Sequence, residues 1–383
     1  MDGLFTDTGW ILAAVAMVGG CYALLASALV GRFMRRDGPD AALSPAVTVL
    51  KPLHLEDPDL RANLETFFSQ NYAGAVQIVF GVHDEADPAL EVVRSLQAKY
   101  PNCDTAIVAD KARYGANAKI SNLINMFPQA KHDVLVLSDA DIAVGPAWLV
   151  QVTAALSRPG VGIVTCVYTG EPGQGGEKLW SSLAAMGSSY DFLPNVVLGA
   201  SLGLASPCMG STIALRRDTL DEVGGFATFA NRLADDYEMG AAVRAKGYTL
   251  AIPALGVGHT AAENSLSDLF HHELRWTRTI RMVNPLGHLG SIVTHGFALA
   301  VMAAILLDFN TVSLSIMGVT LLSRLLLKYR IDGLFGTYAG PYWLMPLRDM
   351  LSFVVFVTSL FGETVHWRGT HFAVEASGAM SQV

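Results

Sequence analysis

Val134–Val144 reads VLVLSDADIAV, a short apolar run that leads into two carboxylates, Asp139 and Asp141. A continuous run of this kind, rich in valine and leucine, is typical of a buried strand. Two like charges separated only by Ala140 repel each other, so a positively charged partner is expected beside them. The stretch therefore predicts a buried strand whose carboxyl end carries a cation-binding site.

The composition indicates a protein that is partly embedded in lipid. Hydrophobic residues make up 51% of the 383 positions and charged residues 16%, whereas soluble chains usually carry about a quarter of charged residues. The net charge of −8 argues against a nucleic-acid binder, which needs a basic face. The four cysteines form no CxxC pair, so the sequence predicts no zinc or disulfide framework and suits a reducing compartment.

The N-terminal region predicts one membrane anchor. Gly9–Gly31 carries no charged residue and is long enough to cross a bilayer as a helix. A cleaved signal peptide fits less well, because no basic segment precedes the run and the run is too long. Arg32, Arg35 and Arg36 follow directly, so the positive-inside rule places the next segment in the cytoplasm.

The C-terminal region predicts further membrane segments. Gly290–Leu307 and Thr311–Leu327 are apolar runs separated by a short polar break, which is typical of a tight helical hairpin. A third run, Trp343–Phe361, contains Arg348 and Asp349. This run either spans the membrane with the charged pair buried against neighbours, which we favour, or lies in the interface.

The region between these membrane segments, residues 44–265, predicts a cytoplasmic α/β domain. Five β-rich runs alternate with helical patterns, which favours a mostly parallel sheet with helices on both faces. Ligands of such sheets bind beyond the carboxyl ends of the strands, where four charged residues are expected: Lys51, Asp84, Asp139 and Asp141. The predicted strands are Ala46–Leu50, Val76–Val82, Asp104–Val108, Val134–Leu137 and Val161–Val167, and the predicted helices include Asp59–Gln70 and Pro88–Tyr100.

The paired carboxylates and Asp84 each admit two interpretations. Asp139 and Asp141 fit a solvated turn, because turns are rich in aspartate, or a Mg²⁺ or Mn²⁺ site that carries a diphosphate. The apolar strand before them favours the metal. Asp84 fits a cap of the following helix or an acceptor of hydrogen bonds from a nucleotide base.

Two further polar clusters admit a structural and a functional interpretation. Arg113, Asn117 and Lys119 fit the start of a surface helix or a set of donors and cations for phosphate or uridine. The acidic run ADDYE, which contains Asp236, fits a helix N-terminus or supplies a general base.

Two segments are candidates for the membrane surface. Leu269–Arg281 fits an amphipathic helix whose cations meet lipid head groups, a phosphate clamp, or both on opposite faces. Phe192–Ala205 is too short to span and fits either an ordinary buried helix and loop or an interfacial segment that lines the path of a lipid acceptor. That path would include Leu198 and Leu202, with Cys208, Gly210 and Ser211 behind them.

In their order along the chain, these motifs resemble those of lipid-directed glycosyltransferases with a GT-A fold, and most closely the ceramide glucosyltransferase family. That family's pattern is an aspartate, a DxD-like pair, a further aspartate and (Q/R)xxRW. The chain matches it with Asp84, Asp139-Ala140-Asp141, Asp236 and His272-Glu273-Leu274-Arg275-Trp276, where His272 departs from the usual Gln or Arg. Flanking segments that agree are LKPLHLEDPDLRANLETFF, GANAKISNLI, CMGSTIALRRDTLDEVGGF and VHWRG.

Several segments also resemble a bacterial branch, the hopanoid-biosynthesis glycosyltransferases. They are GVHDEADPA, DVLVLSDADI, SPCMGSTIALRRD and HHELRWTRTIR. This branch implies a bacterial inner membrane and the transfer of N-acetylglucosamine to a hopanoid. We favour that acceptor, and the alternative is glucosylceramide synthesis from UDP-glucose.

The resemblance implies a UDP-sugar donor, Mg²⁺ or Mn²⁺ as cofactor, and inversion at the sugar carbon. It implies that Asp84 holds the uracil, that Asp139 lies near the ribose or the metal, and that Asp141 binds the metal. Asp236 would be the general base that deprotonates the lipid hydroxyl. The remaining donor-site residues would be Lys51, Lys119, His272, Arg275, which would steady the diphosphate, and Trp276, which would pack on donor or acceptor.

The predicted organisation has five parts. These are an anchor (1–36), a GT-A catalytic domain (44–265), an interfacial helix with the HxxRW motif (266–285), a C-terminal membrane region (286–365) and a tail (366–383). The expected partners are the UDP-sugar, a membrane lipid and the phospholipid bilayer.

Three other functions fit the sequence less well. A polysaccharide synthase shares the motifs but usually needs more membrane helices, and a transporter would place polar groups inside spanning helices. A catalytically inactive lipid-binding protein would share the same motifs and would differ only in forming no glycosylated product.

Overall fold

The structure, a computed structural model, describes residues 2–36, 44–55, 59–362, 364–367, 370–374 and 380–382. Two of the quoted motifs therefore lie partly outside the described residues, at positions 56–58 and 368–369, as does part of the predicted tail. The strands are β1 (Val47–Pro52), β2 (Val76–Val82), β3 (Asp104–Ala109), β4 (Val134–Leu137), β5 (Ile142–Ala143), β6 (Val161–Thr165), β7 (Val167–Pro172), β8 (Ile213–Arg216), β9 (Thr249–Ala251), β10 (Gly256–Ala261), β11 (Thr364–Trp367), β12 (Thr370–Val374) and β13 (Met380–Gln382). The helices are α1 (Asp2–Met34), α2 (Leu60–Phe68), α3 (Ala89–Lys99), α4 (Ala118–Met126), α5 (Trp148–Leu156), α6 (Lys178–Gly187), α7 (Leu193–Ser201), α8 (Arg217–Glu222), α9 (Asp235–Ala245), α10 (Leu266–Val283), α11 (Pro285–Gly290), α12 (Gly296–Leu306), α13 (Thr311–Phe335) and α14 (Met345–Ser359).

Seven strands form the central sheet, in the order β3-β2-β1-β4-β8-β6-β9. β1 pairs in parallel with β2 and β4, β2 with β3, and β6 with β9. β8 is antiparallel to both of its neighbours. The predicted mostly parallel sheet is therefore confirmed. Because β1 and β4 are neighbours, Lys51 at the end of β1 lies close to Asp139 and Asp141, which follow β4.

Apolar cores cover both faces of this sheet. Val136 of β4 faces a core that includes Trp148 of α5, whereas Leu135 and Leu137 face a core that includes residues of α4 and α9. All four residues of β4 are buried. This explains why β4 contains no polar residue, since a strand buried on both faces is apolar throughout.

A second sheet, in the order β5-β10-β7, continues beyond the carboxylates. The single strand predicted for Val161–Val167 is two strands, because the chain leaves the central sheet at Cys166 and β7 pairs with β10 instead. β10 is antiparallel to β5, with His259 opposite Ile142. This register sets His259 beside Asp141.

Three helices of the described chain are long and apolar enough to cross a membrane: Leu4–Met34, Pro285–Leu306 and Thr311–Phe335. The predicted N-terminal anchor and C-terminal hairpin are therefore confirmed. The first two helices meet at glycines, since a Cβ on Gly19 would lie 2.6 Å from Cα of Gly296. Such close approach of backbones is typical of helix pairs within membranes.

The run Trp343–Phe361 forms a helix that packs against its neighbours. Its helical part is α14, which has 15 residues and directly follows a 3₁₀ turn, Tyr342–Leu344. This stretch is not one of the three described helices that are long and apolar enough to cross a membrane. The spanning interpretation that we favoured stays a prediction.

Five buried or partly buried charges join α14 to its neighbours, and we call them the ionic network: Asp191, Glu273, Arg324, Arg348 and Asp349. Arg324 of α13 lies 2.8 Å from Asp349 and also contacts Asp191. Arg348 lies 2.9 Å from Asp191 and also contacts Glu273 of α10. Charges in such surroundings are costly unless they are paired, so the ionic network fixes how α10 lies against the membrane helices.

The segment around Phe192–Ala205 has a packed part and an exposed end. Helical structure continues from α6 through a π-helical turn, Ser188–Phe192, into α7. Tyr22 of α1 donates a hydrogen bond to Asn195 of α7, so α7 lies against the first membrane helix. Leu198 is partly buried against the core, whereas Leu202, in the loop after α7, is 49% exposed. The buried-helix interpretation thus describes the packed part of the segment, and the acceptor path stays a prediction.

Candidate active site

Lys119 provides a positive charge beside the paired carboxylates. It lies in the first turn of α4, whose N-terminus Asn117 caps by accepting a hydrogen bond from the backbone N–H of Ile120 at 3.1 Å. Nζ of Lys119 lies 2.6 Å from Oδ1 of Asp139 and 3.7 Å from Oδ2 of Asp235. Nδ2 of Asn117 donates to Oδ1 of Asp235 at 3.0 Å. The start of α4 therefore joins the two acidic segments.

Lys51 contacts, from within the hydrophobic core, the backbone of the loop that carries Asp139 and Asp141. Its side chain is fully buried, and Nζ donates to the carbonyl oxygen of Asp139 and to Oγ of Ser138, the latter at 3.4 Å. Nζ also lies 3.9 Å from the centre of the Phe67 ring. Burial lowers the pKa of Lys51 to about 7, although Asp139 and Asp141 act in the opposite direction. Lys51 thus lies behind the site, where it positions the loop.

Asp141 carries a carboxylate oxygen that the protein leaves unpaired. Nε2 of His259 lies 3.4 Å from Oδ2 of Asp141, whereas Oδ1 is buried and has no hydrogen-bond partner among the described residues. Burial acts to raise the pKa of Asp141, but His259, Lys51 and Lys119 outweigh it and lower this pKa to about 2. The ionised carboxylate with a free oxygen is a suitable ligand for a hard divalent cation.

Such a cation would have few protein ligands. No group of three or more His, Cys, Asp or Glu side chains in the described part of the chain is arranged to hold a metal ion. At sites that bind phosphates, Mg²⁺ is commonly held by one or two carboxylates, with the other positions taken by substrate phosphates and water. Asp141, with its unpaired Oδ1 and with Asp139 two residues before it, fits this sparse kind of site.

Sequence reasoning missed His259. Its only signal is the strand-like pattern GVGHTA of Gly256–Ala261, which predicts a strand but not the partner of that strand. β10 and β5 are far apart in the sequence, so the residues next to His259 do not predict that the two strands pair. The centre of the His259 ring lies 5.4 Å from the centre of the Tyr168 ring and 5.7 Å from that of the Trp276 ring. The imidazole therefore packs against two aromatic side chains.

Asp236 lies at the N-terminus of α9. Its Oδ2 accepts a hydrogen bond from the backbone N–H of Gly210 at 2.9 Å, and its Oδ1 accepts one from Tyr237 at 2.7 Å. Burial and the neighbouring Asp235 raise the pKa of Asp236 to about 6, while Lys119 offsets part of the rise. A carboxylate with a pKa near neutrality is suited to accept a proton during a reaction.

Gly210 lies where three of these groups converge. A Cβ at this position would lie 2.7 Å from Oδ2 of Asp139, 3.0 Å from Nζ of Lys119 and 3.5 Å from Oδ2 of Asp236. The space that they line is therefore open only because residue 210 has no side chain. Cys208 is buried and packs against α9, so it lies in the core and not on the surface of the site.

Asp84 lies at the same edge of the sheet, apart from this cluster. Its side chain is exposed, and Oδ1 accepts a hydrogen bond from the backbone N–H of Ala86 at 3.0 Å. Asp87 holds the start of α3 by accepting from Ala89 at 3.0 Å. No hydrogen bond or ion pair between described residues joins Asp84 to the paired carboxylates, so its carboxylate is accessible from solvent.

The HxxRW segment of α10 meets the site through aromatic rings. The ring of Trp276 lies 4.5 Å from that of His272 and also contacts His259. Nδ1 of His272 lies 2.7 Å from Oε1 of the buried Glu263. Arg275 is partly buried on the same helix.

Two other arginines of α10 bind the end of α14. Arg278 donates to the carbonyl oxygen of Phe361 at 2.9 Å, and Arg281 donates to those of Leu360 at 2.7 Å and Gly362 at 2.6 Å. Cations are favourable at the carboxyl end of a helix, where carbonyl groups lack partners. These two arginines therefore hold α14 in this structure, and the phosphate clamp stays a prediction.

Comparison with known proteins assigns a family model to nearly the whole chain. The model of Glycosyl transferase family 21 matches residues 10–380. Ceramide glucosyltransferase 1 of Caenorhabditis elegans is 27% identical over 358 residues, which cover 89% of this chain and 74% of the relative. Ceramide glucosyltransferase of Candida albicans is 33% identical over 117 residues, which cover 28% of this chain and 22% of the relative.

A solved structure with a similar fold is the mannosyltransferase PcManGT from Pyrobaculum calidifontis, in complex with GDP-Man and Mn²⁺. The TM-score is 0.56 at 18% identity, and the match covers 93% of this chain and 99% of the other. At this identity the likeness shows the fold alone, which is that of the GT-A glycosyltransferases.

We expect Gly210→Ala to weaken the binding of Mn²⁺, measured by electron paramagnetic resonance, because the added methyl group would displace the carboxylate of Asp139 and the ammonium group of Lys119. Both groups are the ends of flexible side chains, so the free energy of unfolding should fall by less than about 1 kcal/mol. Gly145→Ala is the matched control, since a Cβ there has no atom within 4 Å, and it should leave Mn²⁺ binding unchanged. Equal Mn²⁺ binding by the two variants would contradict the convergence around Gly210.

Proposed function

The chain belongs to glycosyl transferase family 21, and from this membership we propose that it transfers a hexose from a UDP-sugar to the hydroxyl group of a membrane lipid, with inversion at the sugar carbon. The observation that carries the proposal is the buried, unpaired Oδ1 of Asp141, accompanied by a second carboxylate, Asp236, whose pKa is shifted in the opposite direction. Asp141 is held ionised, and Asp236 has a pKa of about 6. Such a division supplies an anionic ligand and a proton acceptor within one site.

The relatives favour ceramide as the acceptor and glucose as the sugar. Both relatives described above are named ceramide glucosyltransferases, whereas the hopanoid and N-acetylglucosamine expected from the sequence find no support in them. These relatives come from a nematode and a yeast, so they give no support to a bacterial inner membrane either. We propose that the catalytic domain faces the cytoplasm, because Arg32, Arg35 and Arg36 follow the first membrane helix.

The donor would occupy the carboxyl ends of β1, β2 and β4. Asp84, exposed after β2, would accept hydrogen bonds from the uracil. Asp141, with Asp139 nearby, would hold Mg²⁺ or Mn²⁺ and the diphosphate, and His259 would orient Asp141 from behind. When bound, the cation would neutralise the negative charge that develops on the departing UDP. Arg275 and Lys119 would add positive charge to the same region.

Asp236 would act as the general base. It would accept the proton of the lipid hydroxyl while that oxygen attacks the sugar carbon on the face opposite to the leaving UDP. A single displacement inverts the carbon and needs no nucleophile from the enzyme. Lys51 would keep the loop of Asp139 in place from the core, and His272 and Trp276 would line the site from α10.

The direct test is the identity of the product. The protein in nanodiscs, given UDP-glucose and ceramide, should form hexosylceramide detectable by mass spectrometry, with the sugar carbon inverted. Parallel reactions should contain UDP-N-acetylglucosamine and a hopanoid. A hopanoid product would replace the proposed acceptor, and the absence of any glycosylated lipid from all four combinations would contradict the function.

The pH dependence should follow Asp236. The base acts only when deprotonated, so kcat/KM should fall as the pH decreases through about 6, the pKa of this group in the free enzyme. Asp236→Asn should reduce kcat by roughly 10²–10⁴-fold at every pH. Asp221→Asn, at an exposed position on α8, is the control and should leave the profile unchanged. Full activity of Asp236→Asn would exclude it as the base.

Metal binding should depend on Asp141. Chelation should abolish turnover, and Mn²⁺ or Mg²⁺ should restore it. Electron paramagnetic resonance should detect Mn²⁺ bound in the presence of UDP, and Asp141→Ala should weaken this binding by roughly tenfold or more, because charged ligands dominate sites with few protein groups. Asp221→Ala serves as the control. Unchanged Mn²⁺ affinity of Asp141→Ala would contradict the proposed metal site.

A further inference from the structure

Four rings form a continuous aromatic column between the membrane helices and the carboxylates: Phe192, Tyr168, His259 and Trp276. The Phe192 and Tyr168 rings are stacked with their centres 4.6 Å apart. The Tyr168 and His259 rings are 5.4 Å apart, and the His259 and Trp276 rings are 5.7 Å apart. Since His259, the third ring, also contacts Asp141, the column passes directly beside the paired carboxylates.

The other end of the column lies beside the membrane helices. Phe192 is the last residue of the π-helical turn Ser188–Phe192, which directly precedes α7. Within that turn the carbonyl oxygen of Tyr190 accepts a hydrogen bond from Arg324 of α13 at 2.8 Å. Together with the contact between α7 and α1, this places Phe192 next to two of the helices that can cross a bilayer. π-Helical turns are frequent at functional sites.

β7, the strand that carries Tyr168, packs closely against the helical run that contains this turn. The backbone N–H of Gly170 donates to Oγ of Ser189 at 2.9 Å, and a Cβ on Gly170 would lie 2.3 Å from the carbonyl oxygen of Ala185. Residues two apart on a strand face the same side, so Tyr168 points toward the helical run as well. The missing side chain of Gly170 therefore allows Tyr168 to stack on Phe192.

The hydroxyl group of Tyr168 has no partner within the described protein. Tyr168 is 9% exposed, and its hydroxyl makes no hydrogen bond with a described residue. The hydroxyl oxygen is not one of the described atoms that are buried without a partner, so it lies where solvent, or a ligand that displaces solvent, can reach it. Burial raises the pKa of Tyr168, and three carboxylates raise it further: those of Asp236, Asp141 and Asp139. The ring of Tyr168 lies next to that of His259, which contacts Asp141, so the unpaired donor lies near the paired carboxylates.

We propose that Phe192 and Tyr168 form the acceptor subsite, in which the apolar part of the lipid lies along Phe192 and the Tyr168 hydroxyl donates a hydrogen bond to the lipid oxygen that receives the sugar. This inference rests on the proposed function and deepens it. The ligand class is a lipid whose primary or secondary alcohol lies close to its apolar chain. Tyr168 would hold the alcohol oxygen while Asp236 takes its proton, so the two residues would act on the same atom.

Tyr168→Phe tests the hydrogen bond alone, because it keeps the ring in the column. We expect the KM for ceramide in nanodiscs to rise, or kcat/KM for ceramide to fall, by roughly tenfold, as for the loss of one hydrogen bond near charged groups. The KM for UDP-glucose should stay within twofold. Tyr248→Phe is the matched control, because the hydroxyl of Tyr248 bonds to Glu222 at an exposed position, and neither constant should change.

A second measurement does not depend on turnover. A ceramide with a diazirine in its acyl chain, irradiated in nanodiscs, should label the peptide that contains Phe192, and Phe192→Ala should reduce this labelling severalfold. Labelling confined to other parts of the membrane region would overturn the subsite. Wild-type turnover with an unchanged ceramide KM in Tyr168→Phe would overturn the role of the hydroxyl. A wild-type protein that is labelled at Phe192 but glycosylates no lipid would retain the subsite and contradict only the proposed function.

Discussion

The repulsion among four neighbouring carboxylates is the constraint on which the site depends. Asp139 and Asp141 follow β4, and Asp235 and Asp236 begin α9, so two segments distant in sequence bring like charges to one edge of the sheet. Lys119 lies between them and contacts one carboxylate of each segment. Opposite charge at such distances is worth several kcal/mol at most in partly buried surroundings, which leaves residual negative charge. A cationic or polar ligand would therefore stabilise this arrangement.

A second electrostatic arrangement joins the α/β domain to the membrane helices. Glu273 lies one turn away from Trp276 on α10 and meets Arg348 of α14, while Asp191 and Arg324 extend the contacts to the π-helical turn and α13. Removal of one member would leave a buried charge unpaired, which costs far more than the pair itself contributes. The ionic network therefore fixes α10, and with it Trp276, relative to α13 and α14. The aromatic column is anchored at both ends by this means.

Much of the fold can be predicted from local patterns, and the parts that cannot depend on pairing between distant segments. The parallel strands, the paired carboxylates and the apolar helices follow from periodicity and composition, because each is encoded within a short window. The antiparallel β8 and the role of His259 depend on register, which no neighbouring residue records. Arg348 and Asp349 in the apolar run indicate a buried pair, yet only the structure shows that each charge binds a residue from another helix. α14 is therefore a packed helix, which its composition alone does not show.

The crowding of like charges also separates the properties of two carboxylates. Asp141 has His259 and two lysines around it and remains ionised, whereas burial and Asp235 raise the pKa of Asp236. The difference arises from position alone, since both are aspartates. If Lys119 lay one helical turn closer to Asp236, its charge would lower the pKa of that group further and would weaken it as the proposed base. The capped first turn of α4 holds Lys119 against Asp139, and it thereby preserves the difference between the carboxylate proposed as a metal ligand and the one proposed as a proton acceptor.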